Sequence, residues 1–294
     1  MSLRPTRTFH PYAMLAPTLA VLALFCLVPL GVAFHKSFFA WDLLTEPEPV
    51  GFGNYRALLA SGELGELIVH TLAYSVVVVS ASLTLGLALA VALNREGRFY
   101  AFVRSAVFSA YVVSWVAVAL LWLWLLDPQA GLIARVSKGL GLTPVDWLGN
   151  PRVVLFTLAG VTVWKITGYA MVIFLAGLQD VPRSVLEAAA LDGAGPWQRF
   201  RYIVWPLLRP TATFVATTSL ILSFQAFDIV RVMTQGGPVR SSTIFVYAIY
   251  EQVFVNMRVG RASALTVVFF VLLLGLTGLQ WWLWRKSADS RVAT

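Results

Sequence analysis

Leu67–Leu93 reads LIVHTLAYSVVVVSASLTLGLALAVAL, a run with no Asp, Glu, Lys or Arg. A hydrocarbon core about 30 Å thick is crossed by roughly 20 residues of helix, so this stretch spans a bilayer and lipid is its solvent. Five further stretches qualify on the same count: Tyr12–Phe34, Ser105–Leu126, Val153–Leu178, Thr211–Phe227 and Ala262–Trp284. The reading is an all-α, polytopic membrane protein of about six transmembrane helices. No long linker divides it, so 1–294 is read as one transmembrane domain with a core over about 67–284.

Composition points the same way. The 294 residues are 59% hydrophobic and 12% charged, about half the charged fraction of a soluble domain. The formal net charge of +8 would suggest nucleic acid in a soluble protein. Here it follows from Lys and Arg on cytoplasmic loops, and no nucleic-acid role is expected. Cys26 is the single cysteine and His10, His35 and His70 are scattered, so neither a disulfide nor a metal site is expected. The first apolar stretch outruns the roughly 7–15 residues of a signal-peptide core.

With the N-terminus inside, the inner set holds Arg4, Arg7, Arg95, Arg98, Arg104, Arg183, Arg199, Arg201, Arg209, Arg285, Lys286 and Arg291. Glu96, Asp180, Glu187, Asp192 and Asp289 oppose them. That side carries about +7, while the outer segments are about neutral. Both termini are therefore expected in the cytoplasm, together with the loop between the fourth and fifth spans.

That loop, within 180–209, carries the most information. Ser184 and Glu187 have capping-box spacing, which starts a short helix there. Gly193 can take the left-handed conformation that closes it, and Pro196 suits the first turn of a second helix. Trp197, Phe200 and Ile203/Val204 recur on one face of that helix, and Pro206 is expected to stop it. An Ala-rich helix allows close approach to a partner. An amphipathic hairpin lying in the interface, with Glu187 only a cap, fits the same residues.

The loop resembles the signature of ABC importer permeases: Glu-Ala-Ala, three residues, Gly, nine residues, Ile-x-Leu-Pro. Glu187, Ala188, Ala189, Gly193, Ile203 and Pro206 fall at those spacings, and Trp205 replaces the usual Leu. Gly51-Phe52-Gly53-Asn54-Tyr55, Trp164-Lys165 with Gly168-Tyr169, Phe174 to Gln179, Phe227-Asp228 and Met233 to Pro238 are similar to segments of maltose-type and glycerol-3-phosphate-type permeases. The resemblance implies the ABC type I importer permease fold and a role as one half of a translocation pathway for a sugar, polyol or glycerophosphate. It also implies docking of Glu187, Ala188, Ala189, Asp192, Gly193, Ile203 and Pro206 in a groove of an ATPase. The implied partners are two ATPase subunits, a second homologous permease and a periplasmic or lipid-anchored solute-binding protein, in a bacterial or archaeal plasma membrane. No Gly-x4-Gly-Lys-Ser/Thr phosphate loop occurs, so ATP and magnesium belong to the ATPase, and this chain is expected to bind no cofactor and to catalyse nothing.

Polar groups inside spans are functional candidates. Lys165 sits near the middle of the fourth span, where it can face the pathway or serve a structural pairing. Trp164, Tyr169 and Phe224, with Tyr111, Trp115 and Trp122, can offer ring faces to a sugar or simply pack. Gln225 and Asp228 lie at the outer end of the fifth span. An ion-coupled secondary transporter, the competing class, needs carboxylates in its spans, and Asp228 alone lies at the edge of one.

Overall fold

The structure is a computed structural model. It describes the backbone of residues 9–289 and the side chains of residues 14–280 and 282. Arg4, Arg7 and Arg291, and the side chains of His10, Arg285 and Lys286, lie outside that description. Among the described residues five helices are long and apolar enough to cross a bilayer, or six where a bent helix pair counts as one span. The chain divides into two compact units, residues 1–65 with 248–294 and residues 66–247.

In the first unit the opening helix runs from Phe9–Leu22 through a wide π turn at Ala23–Leu27 into Val28–Lys36. Proline explains the turn. Pro29 has no N–H, and its ring would strike the carbonyl four residues earlier; the extra residue of a π turn moves that carbonyl aside. Two-residue strands follow, with Phe39 opposite Pro49 and Ala40 opposite Glu48, a small ribbon in an otherwise helical chain. Asn54, from the short helix Gly53–Ala60, donates through Nδ2 to the Ser37 and Phe39 carbonyls at 2.8 and 3.0 Å. Tyr55 donates to Ser37 Oγ at 2.7 Å. The Gly51–Tyr55 segment is thus a clip that closes the end of the first span. The last helix, Val259–Asp289, packs on Val28–Lys36 and on Gly53–Ala60. Gly260 lets it approach, because a Cβ there would meet the Phe39 carbonyl. Arg261 and Glu63 form an ion pair at 2.5 Å.

The second unit is organised around Val154–Gln179, the most buried of the long apolar helices. Its packing uses small residues, as expected where lipid tails are no less apolar than side chains. A Cβ on Gly168 would lie 2.8 Å from Phe108 Cα in Arg98–Val112, and one on Gly177 would meet Thr211 in the fifth span. Gly86 in Glu63–Leu93 meets Ala170 in the same way. Around these contacts Ala90, Met171, Phe174 and Val215 form the core.

Three expectations about the spans are corrected. The second span begins at Glu63, a turn before Leu67, because acids suit the first turn of a helix. The third span is broken rather than continuous: Arg98–Val112 and Trp115–Leu125 meet at 101° across Val113–Ser114. The fifth span runs over Pro196–Phe224 as one helix, so Pro206 does not stop the loop helix. A second π turn, Phe200–Val204, lies two residues before Pro206 just as Ala23–Leu27 lies two residues before Pro29, and it relieves the same clash. Beyond the third span, Asp127 accepts from Ala130 N and Gln129 N at 2.7 and 2.9 Å, bonds that hold its carboxyl below the usual range.

Gly168→Ala is expected to lower the thermal midpoint of the detergent-solubilised protein. The added methyl faces backbone that cannot step aside, an overpacking cost of about 1–3 kcal/mol. Gly160→Ala, on the same helix with nothing within 4 Å of its Cβ position, should leave the midpoint unchanged or higher.

Candidate docking loop and translocation path

The loop begins with Arg183–Leu191, whose N-cap is Pro182 with extended φ/ψ of −61° and 123° and no side-chain cap bond. The expected Ser184–Glu187 capping box is therefore not formed. Ser184 sits inside the first turn, and Glu187 is exposed. The equivalent bond forms at the next helix, where Gly195 N–H donates to Gln198 Oε1 at 2.8 Å.

The turn between the two helices follows the expectation for Gly193, whose φ is +84°. Gly193 N–H bonds to the Ala190 carbonyl at 3.1 Å, and Ala194 N–H reaches back to Ala189 at 2.9 Å. This pair of bonds is the Schellman motif, which satisfies the last carbonyls of a helix and needs a left-handed residue at Gly193. Pro196 opens the second helix, and Trp197 stacks on Phe200 with centroids 5.8 Å apart.

Glu187, Ala188, Asp192 and Gly193 are exposed, while Ala189, Ile203 and Pro206 are half-buried. Leu191 is 90% and Trp197 72% exposed, an apolar surface that two short helices cannot cover themselves.

The mid-span candidates separate into groups. Lys165 is 1% exposed. Its Nζ donates to the carbonyls of Ala110 at 3.2 Å, Tyr111 at 3.0 Å and, most closely, Val113. The Trp115 ring lies 4.7 Å from the ammonium and the Tyr111 ring 5.8 Å. These bonds have the geometry of the structural pairing that the sequence left open beside a pathway role. Among the described residues, the hydrogen-bond partners of the amine are these three backbone carbonyls. Tyr169 stacks on Tyr111, centroids 4.9 Å apart and planes 22° from parallel. Trp164 faces elsewhere, 44% exposed and edge-on to Trp122.

A cleft of about 430 Å³ is lined by Arg104, Ser105, Phe108, Val172, Ala176 and Gln179, among others. Those residues begin nearly one turn from the Tyr111–Tyr169 pair on the same two helices, and the Phe108 ring lies 5.9 Å from that of Tyr111.

Phe224, Gln225 and Asp228 form a second group at the break after the fifth span. Phe224 is buried, Gln225 exposed and Asp228 half-buried. Asp228 stands in the first turn of Phe227–Met233, which packs on Trp115–Leu125, the far half of the broken span. Beyond it the Gly-Gly-Pro turn is bonded throughout. Ser242 donates to Gly237 O at 2.6 Å and Thr243 to Gly236 O at 3.1 Å. His70 contacts the Thr243 carbonyl at 3.2 Å. Sequence reasoning missed these hydroxyl partners; their signal was the Ser-Ser-Thr run just after the turn.

A multi-span helical protein with an exposed helix–turn–helix loop between its fourth and fifth spans is a transport permease in outline. Residues 82–287 match the family described as binding-protein-dependent transport system inner membrane component, and the chain belongs to that family. It is 31% identical over 272 residues to the sn-glycerol-3-phosphate transport system permease protein UgpA of Agrobacterium fabrum, and 34% identical over 275 residues to that of Yersinia pestis. Each alignment covers 92% of both chains. The fold matches a crystal structure of a bacterial ABC transporter involved in import of the acidic polysaccharide alginate. The TM-score is 0.81 at 22% identity, over 95% of this chain and 96% of that one. The chain is thus a multi-pass permease subunit of an ABC importer. It is a transport component and not itself an enzyme, and the ion-coupled class is not favoured.

Ser184→Ala should leave the loop unchanged, because the hydroxyl caps nothing. Gly193→Val forces a branched residue into left-handed backbone at a cost of about 1 kcal/mol or more. Amide exchange at Ala194 should rise severalfold in the second variant and not in the first.

Proposed function

We propose that this chain is one half of the membrane channel of a binding-protein-dependent importer for a polyhydroxylated solute, a sugar or a glycerophosphate. The observation that carries the reading is the exposed, Schellman-closed loop over 180–209 on a chain with no phosphate loop of its own. The exposed Leu191 and Trp197 beside an Ala-rich helix suit cover by another polypeptide. Its partner is a separate ATPase subunit that holds ATP and magnesium, present in two copies. The Leu191 and Trp197 side chains and the Ala188–Ala189 face enter the ATPase groove, and Glu187 pairs with a base there.

The second half of the channel is a homologous permease. A soluble or lipid-anchored binding protein delivers solute on the opposite side. The charge asymmetry of the sequence supports a cytoplasmic position for the loop and both termini, in the plasma membrane of a prokaryote, and 1–294 acts as one permease domain. The Tyr111–Tyr169 pair and the Gln225/Asp228 break are the pathway groups: ring faces take the apolar side of a sugar, and the amide and carboxylate take hydroxyls. The glycerol-3-phosphate permeases among the relatives support the phosphate-bearing end of the solute range, and the alginate importer supports the saccharide end.

Isothermal titration of the cognate binding protein with glycerol-3-phosphate, a glycerophosphodiester and an oligosaccharide should give one tight ligand. If none binds, the solute class is wrong. The native complex should purify with an ATPase and a second permease, and a fully active preparation of this chain alone would overturn the assembly. In reconstituted vesicles, Glu187→Ala and Gly193→Val should reduce ATPase co-purification or solute uptake per ATP while the spans still insert. Normal values for both variants would remove this loop as the coupling element.

A further inference from the structure

A break in the middle of a span leaves carbonyls with no helical partner. In the third span these belong to the end of Arg98–Val112 and to Val113, the first of the two residues across which the helices meet at 101°. A buried polar group left unbonded in hydrocarbon is strongly disfavoured, so an uncompensated break of this kind does not persist. The compensation comes from a different helix. Lys165 stands in the middle of Val154–Gln179, and its ammonium has three protons for three oxygens, those of Ala110, Tyr111 and Val113. The oxygens are the negative end of the half-helix dipole, and the Trp115 ring at 4.7 Å adds a cation–π contact at the first residue beyond the break. Charge, donor number and direction all match the end of a helix.

We infer that Lys165 holds the third span in its broken shape, and that through this bend it positions Tyr111 against Tyr169. Lys165 is then a positioning residue: it never meets solute, and its removal acts by moving the tyrosine pair. The second half of the inference rests on the reading of Tyr111 and Tyr169 as pathway groups; the first half does not.

The experiment uses the reconstituted importer complex. With Cys26, the free and exposed cysteine, replaced by Ala, spin labels are attached at Phe99→Cys and Trp124→Cys, both exposed positions on opposite sides of the break. At 1.5 Å per residue the two sites are about 24 Å apart along backbone axes bent by 101°, and about 38 Å apart in a straight helix. Lys165→Met should shift the distance distribution outward or broaden it. Lys165→Gln, with two donors on a shorter arm, should do so less. Lys165→Arg, which keeps the cation, should do so least. Uptake in the same series should show KM rising severalfold with a smaller loss in maximal rate. If Lys165→Met does not assemble, the same order among Gln and Arg in yield of complex carries the test. Distances and KM in Lys165→Met equal to those of the parent overturn the inference, as does a series in which Met is tolerated as well as Arg. Tyr169→Ala separates the two halves. An unchanged KM there removes the tyrosines from the pathway, while the distance result still decides whether Lys165 holds the bend.

Discussion

No water reaches the middle of a bilayer, so every carbonyl released by an irregular backbone must find its donor inside the protein. The second unit of this chain is arranged around that constraint. Its third span contains no proline and still breaks, because a lysine on the neighbouring helix supplies the donors that water would supply elsewhere. Pro29 and Pro206 lie in helices that do not break there, each with a π turn ending two residues upstream that takes the strained carbonyl out of the ring's way. At the break the compensation is a donor from another helix, and at Pro29 and Pro206 it is an extra residue in the turn.

The lysine can reach the break only because the helices approach closely. Gly168 lies three residues from Lys165, nearly one turn along the same helix, and it brings Val154–Gln179 into backbone contact with Val107 and Phe108. A larger residue would hold Arg98–Val112 away and lengthen the three bonds. Gly168 and Lys165 are therefore parts of one device, one setting separation and the other filling the gap that the bend opens. Tyr169, the next residue, stacks on Tyr111, so the five residues from Lys165 to Tyr169 fix both the backbone and the ring pair of the facing helix.

Hydropathy made the helical class, the number of spans and most of their limits legible, because length in apolar residues is a bulk property that lipid reads directly. The turn at Gly193 was legible because only left-handed backbone closes a helix that way and glycine is its usual residue. Pro206 misled because a proline inside a helix normally costs about 3 kcal/mol, and nothing local announces the π turn that lowers the cost. Ser184 and Glu187 misled because capping-box spacing fixes no register: Pro182 took the N-cap, and the reciprocal bond moved to Gly195 and Gln198. The break at Val113–Ser114 was illegible in its own sequence. Its cause lies some 50 residues downstream, in a lysine whose position in the span was visible but whose partners were not.

The continuity of the loop with the fifth span changes what the loop can transmit. Two short helices ending at Pro206 would have ended any motion there, with a flexible joint before the membrane. Instead Pro196–Phe224 is one helix of 29 residues, about 43 Å long at 1.5 Å per residue. A rigid rod of that length carries a displacement of Trp197 at one end to Phe224 at the other, where the chain breaks again beside Gln225 and Asp228. The joint lies on the other side, at the Schellman turn, where Gly193 gives the short helix Arg183–Leu191 its angle to the rod. The π turn at Phe200–Val204 sets the rod's phase. Closing it to ordinary α geometry would remove one residue from the turn and rotate Trp197 by about 100° relative to the span. The proline that looked like a stop is thus what fixes the direction in which the exposed Trp197 faces, and so the direction from which a docking partner would push.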